Sequence, residues 1–203
     1  NAGTTRFTLN GAAVPVSAPA DERLSDSLRE RLGAREVKIG CNAGDCGACS
    51  VLVDGAVVCS CLTPTRKAEG RRVETAAGLV AADPVAQALA QRFQDHGAAQ
   101  CGFCTPGMVT ASVALLRQDP APDEAAITRA LGGVLCLCTG YRKILDAVHL
   151  AASGRPLTSS NFDGHVGERL PRLDGRAKIV GYDRFGADSI PQNALFVRAI
   201  RSP

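Results

Sequence analysis

The sequence predicts an α+β chain: a small sheet region, then an all-helical region, then a long polar tail. Three observations predict it. Apolar residues alternate with a period of two around two hairpin turns as far as Cys61. From Asp83 to Ser153 they recur instead at helical spacing. Eight of the nine cysteines divide into two sets of four, one in each region.

The first segment, "TTRFTLNGAAVPV", alternates around Asn10-Gly11, and "CSVLVDGAVVCSC" alternates around Asp54-Gly55. Both dipeptides have the left-handed tolerance that a two-residue hairpin turn requires. Between them "DERLSDSLRERL" places Leu24, Leu28 and Leu32 four apart, with acidic residues first and Gly33 after, the start and stop of a helix. A β-β-α-β order with a cysteine loop after the helix is a β-grasp, ferredoxin-like arrangement. After "VETAAGL" the period changes. Asp83-Pro84 opens a helix whose inner face is Val85, Ala86, Leu89, Ala90 and Phe93 and which Gly97 stops. Pro106 opens a second through "GMVTASVALLRQ". "PDEAAITRAL" makes a third, and "TGYRKILDAVHLAAS" a fourth with Tyr141, Ile144, Leu145 and Val148 on one side. The expected divisions are a sheet domain over 1–78, a four-helix domain over 79–155 and an extended connector over 156–203.

Composition limits the function. With 203 residues, 45% hydrophobic and 21% charged, the chain is composed like a soluble globular protein. A net charge of +3, with its Lys and Arg scattered, implies no nucleic-acid partner. No run approaches the roughly 20 apolar residues of a membrane span. The N-terminus shows no basic start followed by an apolar stretch, so the expected location is cytoplasmic. An odd number of cysteines without an export signal argues for metal or redox roles rather than a disulfide framework.

Cys41, Cys46 and Cys49 form C-x4-C-x2-C, the spacing of plant-type [2Fe–2S] proteins, and either Cys59 or Cys61 completes a set of four. Small residues suit a loop that must wrap a cluster and aim N–H groups at its sulfurs, and "CNAGDCGAC" supplies Gly44, Gly47, Ala43 and Ala48. Cys101 and Cys104 form C-x2-C, with Cys136 and Cys138 in "CLCTG". These pairs fall just before the second and fourth helices. Helix N-termini offer unpaired N–H groups and a positive dipole end, which favour an anionic cluster. A structural zinc remains the competing occupant for either set, although zinc sites ordinarily repeat C-x2-C or use a His pair. His96, His149 and His165 stand in no such pairing and read as surface or helix-end residues.

At these residues the chain resembles a family. "GCNAGDCGACSVLVDG", "SCLTP", "QCGFCTPGM" and "CLCTGYRKI", in that order, resemble the iron–sulfur subunit of the molybdenum hydroxylases, the group of xanthine dehydrogenase and aldehyde oxidoreductase, over about residues 5 to 155. The resemblance implies a β-grasp domain with a solvent-side [2Fe–2S] cluster on Cys41, Cys46, Cys49 and Cys61, chosen over Cys59 because "SCL" matches. It implies a second, proximal [2Fe–2S] cluster on Cys101, Cys104, Cys136 and Cys138. Cys59 is then expected to be a buried small apolar residue. Gln100 matches the residue that hydrogen-bonds the molybdopterin cofactor, and Cys138 lies on the electron path to it. The cofactor itself would be held mainly by a partner chain. One departure is plain: the family usually has Arg between the last two cysteines, where this chain has Leu137.

The tail from 156 to 203 has no cysteine and no clear helical period, and reads as a polar segment ordered by a partner. Its "RLDGRAKIVGYDRFGADSIPQNALFVRAIRSP" resembles the start of the molybdenum-binding subunit, and "NALFVRAI" has strand composition. Iron–sulfur module running straight into that start resembles the flavin-independent aldehyde oxidoreductases. No Ser-His-Asp pattern, phosphate loop or open metal site stands in the sequence, so no residue is assigned as catalytic. The expected role is the non-catalytic electron-relay subunit of a hetero-oligomeric molybdenum oxidoreductase, passing single electrons to a flavin, with FAD on another subunit, or to an external acceptor. A free-standing two-cluster ferredoxin and a zinc-stapled interaction module are the alternatives. Aldehydes, purines, other N-heterocycles and carbon monoxide all remain open as substrates.

Overall fold

The computed structural model describes residues 2–154, 165–167, 170–191, 193–195 and 197–201. Strands β1 (Ala2–Leu9) and β2 (Ala12–Pro19) pair antiparallel, with Leu9 opposite Ala12. The turn between them needs two positive φ values, and Asn10 and Gly11 take +51° and +86°. Strands β3 (Ser50–Val53) and β4 (Ala56–Cys59) repeat the device with Asp54 and Gly55 at +50° and +86°. A short β5 (Arg72–Glu74) runs parallel to β1 and antiparallel to β3. The sheet order is β2-β1-β5-β3-β4.

Helix α1 covers only Leu24–Asp26 before Ser27–Arg31 widens into a π-turn, which Leu32 N–H closes on Ser27 C=O at 3.1 Å. Leu24 and Leu28 are both fully buried, so the expected leucine face forms although the helix is irregular.

The helical part is α2 (Ala76–Ala82), α3 (Pro84–His96), α4 (Thr105–Gln118), α5 (Glu124–Leu131) and α6 (Arg142–Ala152). All four expected helices are present. Asp83 caps α3 through Val85 N–H, and Gly97 ends it in the left-handed region at φ 59°. Two helices were not expected. One is α2, capped by the Thr75 hydroxyl, which accepts from Gly78 N–H. The other is α7 (Gly175–Val180) in the tail. Its Ile179 and Val180 are buried in the helical core, so this stretch is ordered by its own chain and not solely by a partner.

Strand β3 joins the two cores. Its side chains alternate faces: Val51 and Val53 enter the sheet-side core with Phe7, Val16, Leu24 and Leu28, while Leu52 enters the helical core with Phe93, Met108 and Val109. Helix α4 is buried along almost its whole length and is the axis of the second core. Fully burying one Leu or Phe side chain contributes about 1.5–3 kcal/mol, so Leu52, Leu89, Phe93 and Ile144, each 0% exposed, weld sheet and helices into one body. No strand forms among the described residues of "NALFVRAI", and Phe196 and the final Ser202-Pro203 lie outside them. Among the described residues no helix is long and apolar enough to cross a membrane.

Candidate metal centres

The first set of thiols is built by one loop. After Gly40 the backbone turns through positive φ at Asn42, Gly44 and Gly47 (55°, 85° and 64°). That path aims three amides, of Ala43, Asp45 and Cys46, at the Cys41 sulfur, each at 3.3 Å. Cys41 N–H reaches Cys46 Sγ, also at 3.3 Å. The Ala43 amide, followed by that of Cys46, draws the exposed Cys41 thiol down to about 7. The other two members lie deeper. Cys49 opens toward β3 and Cys61 sits in the 3-10 turn Ser60–Leu62, both 2% exposed. Burial, reinforced by Cys49, pushes Cys61 up to about 12. Cys59 is half-buried, and its thiol donates to Gly44 C=O at 3.7 Å. The expected buried apolar residue is thus only partly buried: Cys59 packs against the sheet-side core with its thiol toward the cysteine loop.

The second set is assembled across the helical part. Cys104 is the N-cap residue of α4 and is buried, as is Cys136, whereas Cys101 and Cys138 are exposed. Cys138 and Cys101 place their sulfurs 3.6 Å apart, and Cys136 and Cys138 theirs 4.0 Å apart. Side chains hold this set. Thr139 Oγ1 lies 2.9 Å from Cys136 Sγ, and the Tyr141 hydroxyl accepts from Cys136 N–H (2.9 Å) while donating to Val134 C=O (3.1 Å). Burial raises the Cys136 thiol, but the Thr139 hydroxyl and amide outweigh it and leave it below its usual value. Cys104 is pushed up strongly by burial and by Cys136. Tyr141 packs against the helical core with Ile144 and Leu145, as its spacing suggests, but as the residue that caps α6 and not within the helix. It takes φ +64° just before α6, which frees its hydroxyl for the cysteine turn. Gln100 is half-buried beside Cys101, and Leu137 projects fully into solvent between Cys136 and Cys138.

The two loops touch through backbone. Leu135 N–H donates to Cys46 C=O at 2.9 Å. A Cβ on Gly47 would overlap Gly133 C=O, and one on Gly107 would come within 2.7 Å of Gly47 C=O. Cys46 accordingly lines the same cavity, about 590 Å³, as Cys101, Cys104, Cys136 and Cys138.

These residues fit [2Fe–2S] clusters. Each set offers four thiols, and the loop glycines admit the close approach. A cluster divides four thiolates between two irons, whereas a structural zinc draws its ligands to one point; the C-x4-C-x2-C and C-x2-C with C-x-C spacings depart from the paired C-x2-C knuckles such a zinc uses. Protonated Cys61 and Cys104 would release protons on ligation, as metal thiolates do.

Fold and site together define a two-centre iron–sulfur electron-transfer protein. A 2Fe-2S iron-sulfur cluster binding domain matches residues 7–79, and a [2Fe-2S] binding domain matches residues 75–149. The nicotinate dehydrogenase small FeS subunit of Eubacterium barkeri is 43% identical over 148 residues, which is 73% of this chain and 94% of that subunit. Aldehyde oxidoreductase of Megalodesulfovibrio gigas is 37% identical over 97% of this chain, but the match spans only 23% of that enzyme. The crystal structure of the aldehyde oxidoreductase of Desulfovibrio desulfuricans superposes with a TM-score of 0.82 at 34% identity, covering 94% of this chain and 22% of that one. The chain belongs to the iron–sulfur subunit family of the molybdenum hydroxylases, the xanthine dehydrogenase and aldehyde oxidoreductase group.

Proposed function

We propose that this chain relays electrons singly from a molybdenum centre on a partner chain, through two clusters, to a flavin or external acceptor. Cys101, Cys104, Cys136 and Cys138 hold the cluster nearer the molybdenum. Cys41, Cys46, Cys49 and Cys61 hold the one nearer solvent. Bound there, the clusters supply one-electron oxidation and reduction.

The chain's own residues do the rest. The amides of Ala43, Asp45 and Cys46 stabilise negative charge on the Cys41 sulfur. Thr139 and Tyr141 fix the turn that carries Cys136. Cys46 C=O and Leu135 N–H give the two sets a direct bonded and hydrogen-bonded connection, and this 2.9 Å contact is the observation that carries the reading. Gln100 and the exposed Cys138 face the pterin, and the connector over 156–203, whose sequence resembles the start of a molybdenum-binding subunit, supports a catalytic partner chain. The region 1–78 serves the outer cluster and 79–155 the inner one. The compartment is the cytoplasm.

The experiment is metal analysis of the complex that co-purifies with the chain from its native source. Molybdenum with four irons per copy of this chain is expected. Iron without molybdenum would contradict the relay reading and leave a free-standing carrier. Flavin content then separates a three-part dehydrogenase from an aldehyde-oxidoreductase-like enzyme.

A further inference from the structure

The tail between Lys178 and Asp188 touches the Cys101 loop on one side and, on the other, the segment that leads into the Cys41 loop. On the helical side, Lys178 Nζ donates to Cys101 C=O at 3.3 Å, and its stem lies so close that a Cβ on Gly102 would approach it to 2.7 Å. Gly181, at φ +85°, is wedged where a Cβ would come within 2.9 Å of Pro106 Cγ and closer still to Glu36. Glu36 and Pro106 belong to the two different parts of the molecule. On the sheet side, the buried Lys38 ammonium donates to Gly181 C=O (3.0 Å) and Asp183 C=O (3.1 Å) and lies 5.0 Å from the Phe185 ring centre. Asp188 forms a buried ion pair with Arg29. The Phe185 ring in turn meets Phe103 edge-to-face at 5.2 Å.

Phe103 stands between Cys101 and Cys104 in sequence. Its ring lies against Gly40, where a Cβ would be 3.4 Å from the ring and 2.9 Å from Cys46 Sγ. A continuous packed path therefore runs from Lys38 through Phe185 and Phe103 to the gap between the two sets of thiols. The contacts are of kinds that fix position: a desolvated cation on backbone carbonyls, an edge-to-face aromatic pair, and glycines with no spare volume.

We propose that this segment is a brace setting the spacing of the two clusters, with Phe185 and Lys38 as positioning residues for the electron step between them. The inference rests on the reading that both thiol sets hold clusters. It assigns a task within this chain to a tail whose sequence points toward a partner.

The test compares the iron-loaded full chain with Phe185→Ala, Phe185→Leu and Lys38→Met variants. Iron content and the two paramagnetic signals report whether clusters are present. The magnetic interaction between the reduced clusters and the rate of electron equilibration between them report spacing. The expected result is four irons and both signals retained in Phe185→Ala, with the interaction altered and equilibration slowed several-fold. Phe185→Leu should recover part of the rate, and Lys38→Met should resemble Phe185→Ala. If Phe185→Ala loses iron, the Leu and Met variants carry the same comparison. Unchanged interaction and rate in iron-replete variants would overturn the brace, even with a lowered melting temperature. A parent chain without two distinct signals would instead overturn the cluster reading beneath it.

Discussion

The two cysteine sets solve one problem by different means. The outer set is furnished by its own backbone, with three consecutive-loop amides converging on Cys41 and glycines supplying the turn. The inner set is furnished by side chains and distant packing: Thr139, Tyr141, the start of α4 and the tail's Lys178. A loop that carries its own donors depends on local conformation. A site assembled from four segments depends on the fold around it. Perturbations should therefore separate the two sets, except where their backbones touch.

The largest effect is expected at that touching point. Gly47→Ala forces a side chain into Gly133 C=O, a backbone atom that cannot step aside, at a φ of +64° that L residues rarely adopt. Left-handed strain alone costs about 1–3 kcal/mol, and the overlap adds to it. Both clusters should be lost or the chain should fail to accumulate. Gly55→Ala is the control, since its φ is +86° but nothing lies within 4 Å; iron analysis should show it fully loaded with a modest fall in melting temperature.

Tyr141→Phe should act on the inner set alone. It removes the acceptor of Cys136 N–H and the donor to Val134 C=O. An unsatisfied buried partner costs about 1–3 kcal/mol, so thermal unfolding should shift down and the inner paramagnetic signal change, with the outer one intact. Thr139→Val takes a hydrogen bond from Cys136 Sγ. Hydrogen bonds to ligand sulfur raise the potential of a cluster, so redox titration should show the inner potential falling and the outer one steady.

In the iron-free chain the contrast becomes one of thiol reactivity. Cys41, at about 7 against an ordinary 9.0, is largely thiolate just above neutrality. Alkylation followed by peptide mapping should label it first, with Cys61, raised to about 12, and buried Cys104 last. Labelling of Cys41 should slow as pH falls below 7.

The smallest effect concerns the brace. Burial raises the Asp188 carboxyl, but Phe185 N–H and Arg29 outweigh it and hold it below its usual 3.8. A depressed carboxyl contributes stability that is complete above its unfolded value and is lost as pH falls through the folded one. Protease cleavage of the tail should therefore begin to increase only below about pH 3.8 in the parent. Asp188→Ala should show increased cleavage already at neutral pH.

Sequence legibility follows the same division. Both hairpin turns, the caps of α3 and the glycine-rich cysteine loop were readable because Asn10, Gly11, Asp54, Gly55, Asp83 and Gly97 act on their immediate neighbours. Helix α2 escaped because its apolar residues are mostly alanines; its one local signal was Thr75, which caps it and also bonds Asn10 and Glu36. Helix α7 escaped because six residues show no period, and its order comes from burying Ile179 against α3 and α4. The role of Tyr141 was hidden because its helical spacing with Ile144 and Val148 is real but its backbone turns left-handed first. Nothing local links Lys38 or Phe103 to Phe185; only the folded chain brings them together.

The measurement that tests the account most directly is iron content with electron paramagnetic resonance of Cys46→Ser and Cys101→Ser in the full chain. Each variant should fall from four irons to two, Cys46→Ser losing the outer signal and Cys101→Ser the inner one. Retention of both signals in either variant would contradict the two separate four-thiol centres.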